Sequence, residues 1–150
     1  MSGTGDTTAA VAALQGALAA ENAAIFGYGV AGAYMSGAQQ RTATAFWNAH
    51  RSAGDTLAGL LRARGAQPAA ADASYKLPFT VRDRSRAVAL AVYLEDGVTA
   101  AYLGVVGATA QTGLREFGAK AMQASAVRAA HWRGSSLAFP GLPAGTAKIR

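Results

Sequence analysis

The chain contains four stretches in which apolar residues recur every three or four positions, and only one of the three intervals between them is long. This spacing is typical of the buried face of an α-helix. We therefore predict helices over residues 8–34, 38–64 and 112–133, with a third helix that begins at Asp83 or Ser85 and ends at residue 109. Alanine is the commonest residue and β-branched residues are sparse, which also favours helix over sheet.

The long interval, residues 65–84, contains Pro68 and Pro78 and has no helical period. It is too long for a tight turn, and its segment 75–79 is interpreted as an extended strap against the bundle. The order helix, short turn, helix, long crossover, helix, short turn, helix predicts two αα-hairpins joined by one long connection. We expect one all-α domain over residues 1–134, followed by an extended C-terminal tail over 135–150.

Composition excludes several classes of function. The chain has no cysteine, so disulfides and thiolate sites are excluded. Its net charge of +6 comes from basic residues spread along the sequence without interleaved aromatic residues, which predicts no nucleic-acid binding. Residues 87–110 are apolar enough for a membrane span, but Glu95 and Asp96 in the middle favour a buried helix of a soluble bundle. No signal peptide is recognisable at the N-terminus, and we expect a cytoplasmic protein without a membrane partner.

The scarcest polar residues fall on the predicted apolar stripes. The chain has two histidines and three glutamates, and four of these five are predicted to face inward: Glu21, His50, Glu95 and His131. Burying such groups is costly unless they pair with a partner. The sequence therefore predicts a polar cluster in the core of the bundle.

Two tyrosines and an arginine belong to the same predicted layer. Tyr28 follows Glu21 by seven residues, and Tyr102 follows Glu95 by seven residues, which is two helical turns. Each tyrosine therefore lies on the same helical face as its glutamate, so the two hairpins look like structural copies. Arg128 falls on the predicted inward stripe of the fourth helix.

This pattern resembles the ferritin-like di-iron carboxylate family. In that family each hairpin supplies a Glu from its first helix and a Glu-x-x-His from its second, and the chemistry is iron oxidation, peroxide reduction or oxygen activation. By position, Glu21 and Glu95 match the two single glutamates, and His50 and His131 match the two histidines. Several phrases also resemble an actinobacterial ferritin-like family of undefined function: AENAA at 20–24, AHR at 49–51, LLRARGA at 60–66, KLPF at 76–79 and FPG at 139–141.

The chain departs from the di-iron pattern at both bridging carboxylates. Trp47 stands three residues before His50, and Arg128 stands three residues before His131, where the pattern has glutamate. Two neighbouring metal ions need such anionic bridges to offset their mutual repulsion. The sequence therefore disfavours a di-iron centre.

One interpretation of the core involves no cofactor. Arg128 bridges Glu21 and Glu95, His50 and His131 donate to the same carboxylates, and Tyr28 and Tyr102 close the network. That arrangement predicts a non-catalytic structural or interaction module.

A second interpretation is a metal site. The two histidines and two glutamates would bind a single Fe, Mn or Zn ion, as in a mononuclear metal-binding protein or oxidoreductase. Haem between His50 and His131 is a further option that no axial-ligand motif supports. Neither enzymatic activity nor a small-molecule substrate follows from the sequence. Frequent Gly and Ala on the helices lead us to expect a homodimer.

Overall fold

Four helices and no strand make up the part of the chain that the structure describes. The computed structural model covers residues 3–142, with side chains from residue 7 onward. The helices are α1 (Gly3–Gly32), α2 (Gly37–Arg62), α3 (Arg84–Gly107) and α4 (Thr112–Arg133). The predicted all-α fold is confirmed, and the predicted bounds of α4 match. α1 begins at Gly3, five residues earlier than predicted.

Local signals explain where the helices begin and end. Asp83 caps α3, since its side chain accepts a 2.8 Å hydrogen bond from the backbone N–H of Arg86. Gly134 ends α4 in the left-handed conformation (φ 80°) and donates its N–H to the Ala130 carbonyl. Residues 135–142 contain turns but no helix, and the rest of the predicted tail lies outside the described residues.

The helices pack as two antiparallel hairpins. α1 packs against both α2 and α3, and α3 packs against α4. Two glycines let the α3 backbone come close to its neighbours. A Cβ at Gly27 of α1 would collide with the Leu94 side chain, and a Cβ at Gly118 of α4 would lie 3.1 Å from Val106. α3 therefore lies closer to α1 and to α4 than larger side chains at these two positions would permit.

The crossover between α2 and α3 is held against α1. The Gln15 side chain donates to the Gln67 carbonyl at 2.7 Å and accepts from the Ala69 N–H at 2.9 Å. Further along, the Tyr75 ring packs against Phe26, with 5.6 Å between ring centroids. Three larger apolar residues of this segment pack on the core: Leu77, Phe79 and Val81. The predicted strap is thus confirmed.

Two helices each contain a long, unusually apolar stretch. Thr7–Gly32 of α1 and Arg84–Gly107 of α3 are long and apolar enough to cross a membrane by length and composition, a test that core helices also pass. In the bundle they pack against each other, yet only 33% and 44% of their most apolar windows are buried.

Candidate functional site

Three polar residues predicted to face inward meet at the centre of the bundle. Glu21 of α1, His50 of α2 and Glu95 of α3 are each fully buried. His50 lies between the two carboxylates: its Nδ1 is 2.6 Å from Oε2 of Glu21, and its Nε2 is 3.0 Å from Oε1 of Glu95. Both ring nitrogens therefore face a carboxylate oxygen.

The location of His50 between two carboxylates determines its protonation state. Burial by itself lowers the pKa of the imidazole, but the hydrogen bonds and negative charges of Glu21 and Glu95 outweigh it, and the pKa is raised above the ordinary 6.5. A neutral imidazole could donate to only one carboxylate, whereas the imidazolium donates to both. The geometry thus favours a positively charged His50 that links the two acids.

Two tyrosines complete the hydrogen bonding of the carboxylates. The Tyr28 hydroxyl donates to Oε1 of Glu95 at 2.6 Å, and the Tyr102 hydroxyl donates to Oε1 of Glu21 at 2.7 Å. Each tyrosine thus reaches the glutamate of the other helix, because α1 and α3 run antiparallel. Burial and the adjacent carboxylate raise the pKa of both phenols well above their usual range. Both tyrosines therefore remain protonated donors.

Arg128 of α4 neutralises one of the two carboxylates. Its Nε donates to both oxygens of Glu95, at 3.0 and 3.1 Å, and its guanidinium also donates to Oγ of Ser125 at 3.0 Å. Only 14% of the Arg128 side chain is exposed. The sequence predicts that this arginine bridges both carboxylates, and that detail is wrong: the bridge is His50, while Arg128 binds Glu95.

His131 lies outside the network, contrary to its predicted inward position. Its side chain is exposed and packs edge-on against the rings of Phe46 and Trp132. The buried residues of α4 are Leu114, Gly118, Ser125, Ala129 and Trp132. At about 100° per residue, His131 points roughly 120° away from Ser125 around the helix axis. Arg128 therefore reaches the core from the edge of the buried face, whereas His131 is turned away from it.

Trp132 is the member of the network that sequence reasoning missed. The sequence suggests a packing residue, but its indole N–H donates to the Tyr28 hydroxyl at 2.8 Å, and the side chain is buried. Its position four residues after Arg128 could have indicated a shared face. Trp47, at the other place where the di-iron pattern has glutamate, donates to the backbone carbonyl of Ile25 at 3.1 Å.

The residues present do not fit a di-iron centre. Neither bridging position of the pattern holds an acid, and the described part of the chain has no group of three or more His, Asp or Glu side chains arranged to hold a metal ion. Both nitrogens of His50 are directed at carboxylates, and Glu95 is paired with Arg128. The predicted four-ligand set for a single ion is also incomplete here, because His131 is at the surface. Because His50 is buried and His131 is exposed, these two residues also do not form the facing pair that the haem option requires.

Comparison with known proteins agrees with this fold. The sequence profile of a domain of unknown function, DUF4439, matches residues 13–144. The crystal structure of a conserved hypothetical protein, rv2844, from Mycobacterium tuberculosis is 34% identical, covers 85% of this chain and 96% of its own, and superposes with a TM-score of 0.82.

A second crystal structure, described as ferritin-like, diiron-carboxylate proteins from Bacillus anthracis str. Ames, is 20% identical, covers 89% of this chain and 96% of its own, and has a TM-score of 0.65. At that identity the likeness shows the fold alone. No protein of curated function matches the chain. The match over residues 13–144 shows that this ferritin-like four-helix bundle belongs to the DUF4439 family, whose function is unknown.

Proposed function

We propose that the protein is a non-catalytic structural or interaction module, in which a metal-free Glu–His–Arg network occupies the centre of a ferritin-like bundle. The observation that carries this proposal is the position of His50, which uses both ring nitrogens on Glu21 and Glu95. A metal ligand must offer a free lone pair, and an imidazolium has none.

The charges of the network support the same conclusion. The two carboxylates of Glu21 and Glu95 are balanced by the imidazolium of His50 and the guanidinium of Arg128. A divalent cation at this point would be repelled by both positive groups. To bind it, His50 would have to release a proton and Arg128 would have to leave Glu95. The guanidinium of Arg128, whose side chain is only 14% exposed, would then lose its carboxylate partner, which is costly for a buried charge.

The enclosure of the network argues against catalysis. A catalytic group must reach a reacting atom of the substrate, but Glu21, His50 and Glu95 are fully buried. A surface cavity of about 470 Å³ lies between α1, α2 and the crossover, and it is lined by neighbours of the network such as Asn22 and Gly54. No network residue lines this cavity. A smaller cavity of about 260 Å³ between α1 and α2 reaches Tyr28, but Glu21, His50 and Glu95 are absent from its lining as well.

Metal analysis tests the proposal. Inductively coupled plasma mass spectrometry measures the metal content of protein purified without chelator. It is also applied to protein that has been incubated with Mn²⁺, with Zn²⁺ or, under anaerobic conditions, with Fe²⁺, and then desalted. We expect substoichiometric metal in each sample and no rise in the unfolding temperature with added metal. The Arg128→Glu variant supplies a positive comparison, because a third carboxylate beside Glu95 should increase uptake of divalent ions if charge balance is what prevents binding.

The opposite result would be equally clear. Stoichiometric metal in the unmodified protein, lost in His50→Ala and accompanied by a higher unfolding temperature, would overturn the proposal. That outcome would support the alternative of a mononuclear Fe, Mn or Zn protein, with His50 deprotonated and acting as a ligand.

A further inference from the structure

Two long stretches of α1 and α3 carry no unpaired charge on their outer faces. From Thr7 to Ser36 the only charged residue is Glu21, which is buried in the network. From Ala87 to Gln111 the charged residues are Glu95, also in the network, and Asp96, which is paired with Arg133 at 2.6 Å. The basic residues that produce the net charge of +6 therefore lie outside these two stretches, mainly on α2, α4, the crossover and the first turn of α3.

Much of this uncharged surface is exposed in the single chain. Less than half of the most apolar window of either helix is buried, although helices that are apolar on all sides are normally enclosed. Tyr93 projects from the middle of α3 with 56% of its surface exposed. We call this surface the α1–α3 face, defined by the following exposed residues: Ala12, Gly16, Ala19, Tyr93, Gly97, Ala100 and Gly104.

We propose that a second copy of this chain covers the α1–α3 face. The face offers both a projection and a recess. Beside Tyr93 lies a groove of about 340 Å³, whose other lining residues are Ala20, Ala23, Leu94, Asp96, Gly97 and Val98. In a two-fold symmetric interface each partner presents the same surface, so a projection next to a recess is self-complementary. Each Tyr93 would enter the groove of the other copy.

The size of the face is sufficient for a stable dimer. Two neighbouring helices exposed over about 20 residues present a surface of ~30 Å by ~20 Å, which is ~600 Å² on each copy and ~1,200 Å² in total. That total reaches the lower end of the range for specific, stable interfaces. The charged residue of the groove lining, Asp96, is paired with Arg133, so two copies can meet at this face without bringing unpaired like charges together.

The chemistry of the face favours a protein partner over a lipid surface. Helices that lie on bilayers present large apolar side chains flanked by lysine and arginine. Here the exposed residues are glycine and alanine around one tyrosine, which bury little area in lipid but allow helix backbones to approach closely. Dimerisation does not depend on whether the core binds metal, so the two proposals can fail separately.

The oligomeric state tests this inference. Multi-angle light scattering and sedimentation velocity on the full chain, from low micromolar to submillimolar concentration, should give the mass of a dimer. Gly97→Glu places a negative charge on the face. In a two-fold symmetric dimer the introduced carboxylates of the two copies would lie at the same interface. We expect the dissociation constant to rise by at least ~10-fold, because like charges brought together at an interface oppose association.

Gly59→Glu is the matched control. Like Gly97, Gly59 is an exposed glycine inside a helix, with no atom within 4 Å of the position that a Cβ would occupy, but it lies on α2. The Gly59→Glu variant should remain a dimer, and circular dichroism should show unchanged helix content in both variants. A monomeric unmodified chain, or equal dimerisation of the two variants, would overturn the proposal. A monomer that binds vesicles of mixed neutral and anionic lipid, and loses that binding in Gly97→Glu, would overturn it in favour of a lipid-facing role.

Discussion

The hydroxyl of Tyr102 on α3 donates to a carboxylate oxygen of Glu21 on α1, at 2.7 Å and across 81 positions of sequence. Its counterpart, Tyr28 on α1, donates to Glu95 on α3 at 2.6 Å. The two bonds are related by the approximate two-fold symmetry of the hairpins, and together they tie α1 to α3 on both sides of His50. The polar contacts at the centre of the bundle share acceptor and donor groups, so each one depends on the others. Substitution of single residues can measure how much each contact contributes to stability.

Arg128 should contribute far more to stability than a neighbouring arginine that also binds α3. In Arg128→Met the volume of the side chain is largely kept, but Glu95 loses its guanidinium partner. We expect the free energy of unfolding to fall by about 3–5 kcal/mol, because a buried charge loses its compensation. Arg133→Met is the control: it breaks the half-exposed pair with Asp96 and should cost about 1 kcal/mol or less. Urea denaturation measures both, and equal losses would contradict the network.

The two tyrosines should differ in their importance, although their bonds to glutamate look alike. Tyr102→Phe removes one hydrogen bond to a carboxylate, at a cost of about 1.5–3 kcal/mol. Tyr28→Phe removes the equivalent bond and also leaves the indole N–H of Trp132 without its acceptor, so we expect a further loss of about 1 kcal/mol or more. The extra loss should disappear when the same substitution is made in a Trp132→Phe background. Equal costs for the two single variants would show that the Trp132 bond contributes nothing.

Stability should decrease as the pH rises above neutrality. The pKa of His50 is higher in the folded state than its ordinary 6.5, so its stabilising contribution is fully present below pH 6.5 and is lost as the pH passes through the raised value. Urea denaturation at a series of pH values should show this decline in the unmodified protein and in His131→Gln, but not in His50→Gln. A direct check is the ¹⁵N chemical shifts of the His50 ring at neutral pH, which should report two protonated nitrogens. Shifts of a neutral tautomer would contradict the assignment.

Alkaline unfolding should add a second phase. The phenol pKa values of Tyr28 and Tyr102 are raised above the ordinary 10.0, so above that pH both phenols ionise more readily in the unfolded chain. Rising pH therefore increasingly favours unfolding, and ionising these two side chains requires the bundle to open. Absorbance of phenolate and helix content by circular dichroism, followed together, should show part of the tyrosine ionisation coinciding with unfolding. Complete ionisation of all tyrosines in a chain that keeps its helices would contradict the buried hydrogen bonds.

The close contact between α3 and α4 should make Gly118 intolerant of substitution. A Cβ at this position would lie 3.1 Å and 3.2 Å from the side chains of Val106 and Val105, so Gly118→Ala should destabilise the protein by about 1–3 kcal/mol through overpacking. Gly59→Ala, at an exposed helical position with open space around it, should instead stabilise by about 0.5–1 kcal/mol. Thermal unfolding compares the two, and a stabilising Gly118→Ala would show that the helices can separate without cost.

Much of the fold follows from local sequence signals. The period of the apolar residues indicates where each helix runs, and the proline-containing interval before Arg84 separates the two hairpins. The inward position of Glu21, His50 and Glu95 follows from the same period, since each sits among larger apolar residues on a well-defined stripe. α4 is different, because alanine and other small residues surround its axis. Its stripe is ambiguous in the sequence, and the prediction that His131 faces the core is wrong for that reason.

The sequence by itself determined that three ionisable side chains would be buried and would need partners, because helical periodicity reports the direction of each residue around its own axis. Only the tertiary structure decided which partners they have. The antiparallel direction of α1 and α3 sends Tyr28 to Glu95 and Tyr102 to Glu21, and the rotation of α4 presents Arg128 and Trp132 while excluding His131. Relative rotation and axial offset of helices depend on the packing of all four, which no single stretch of sequence encodes.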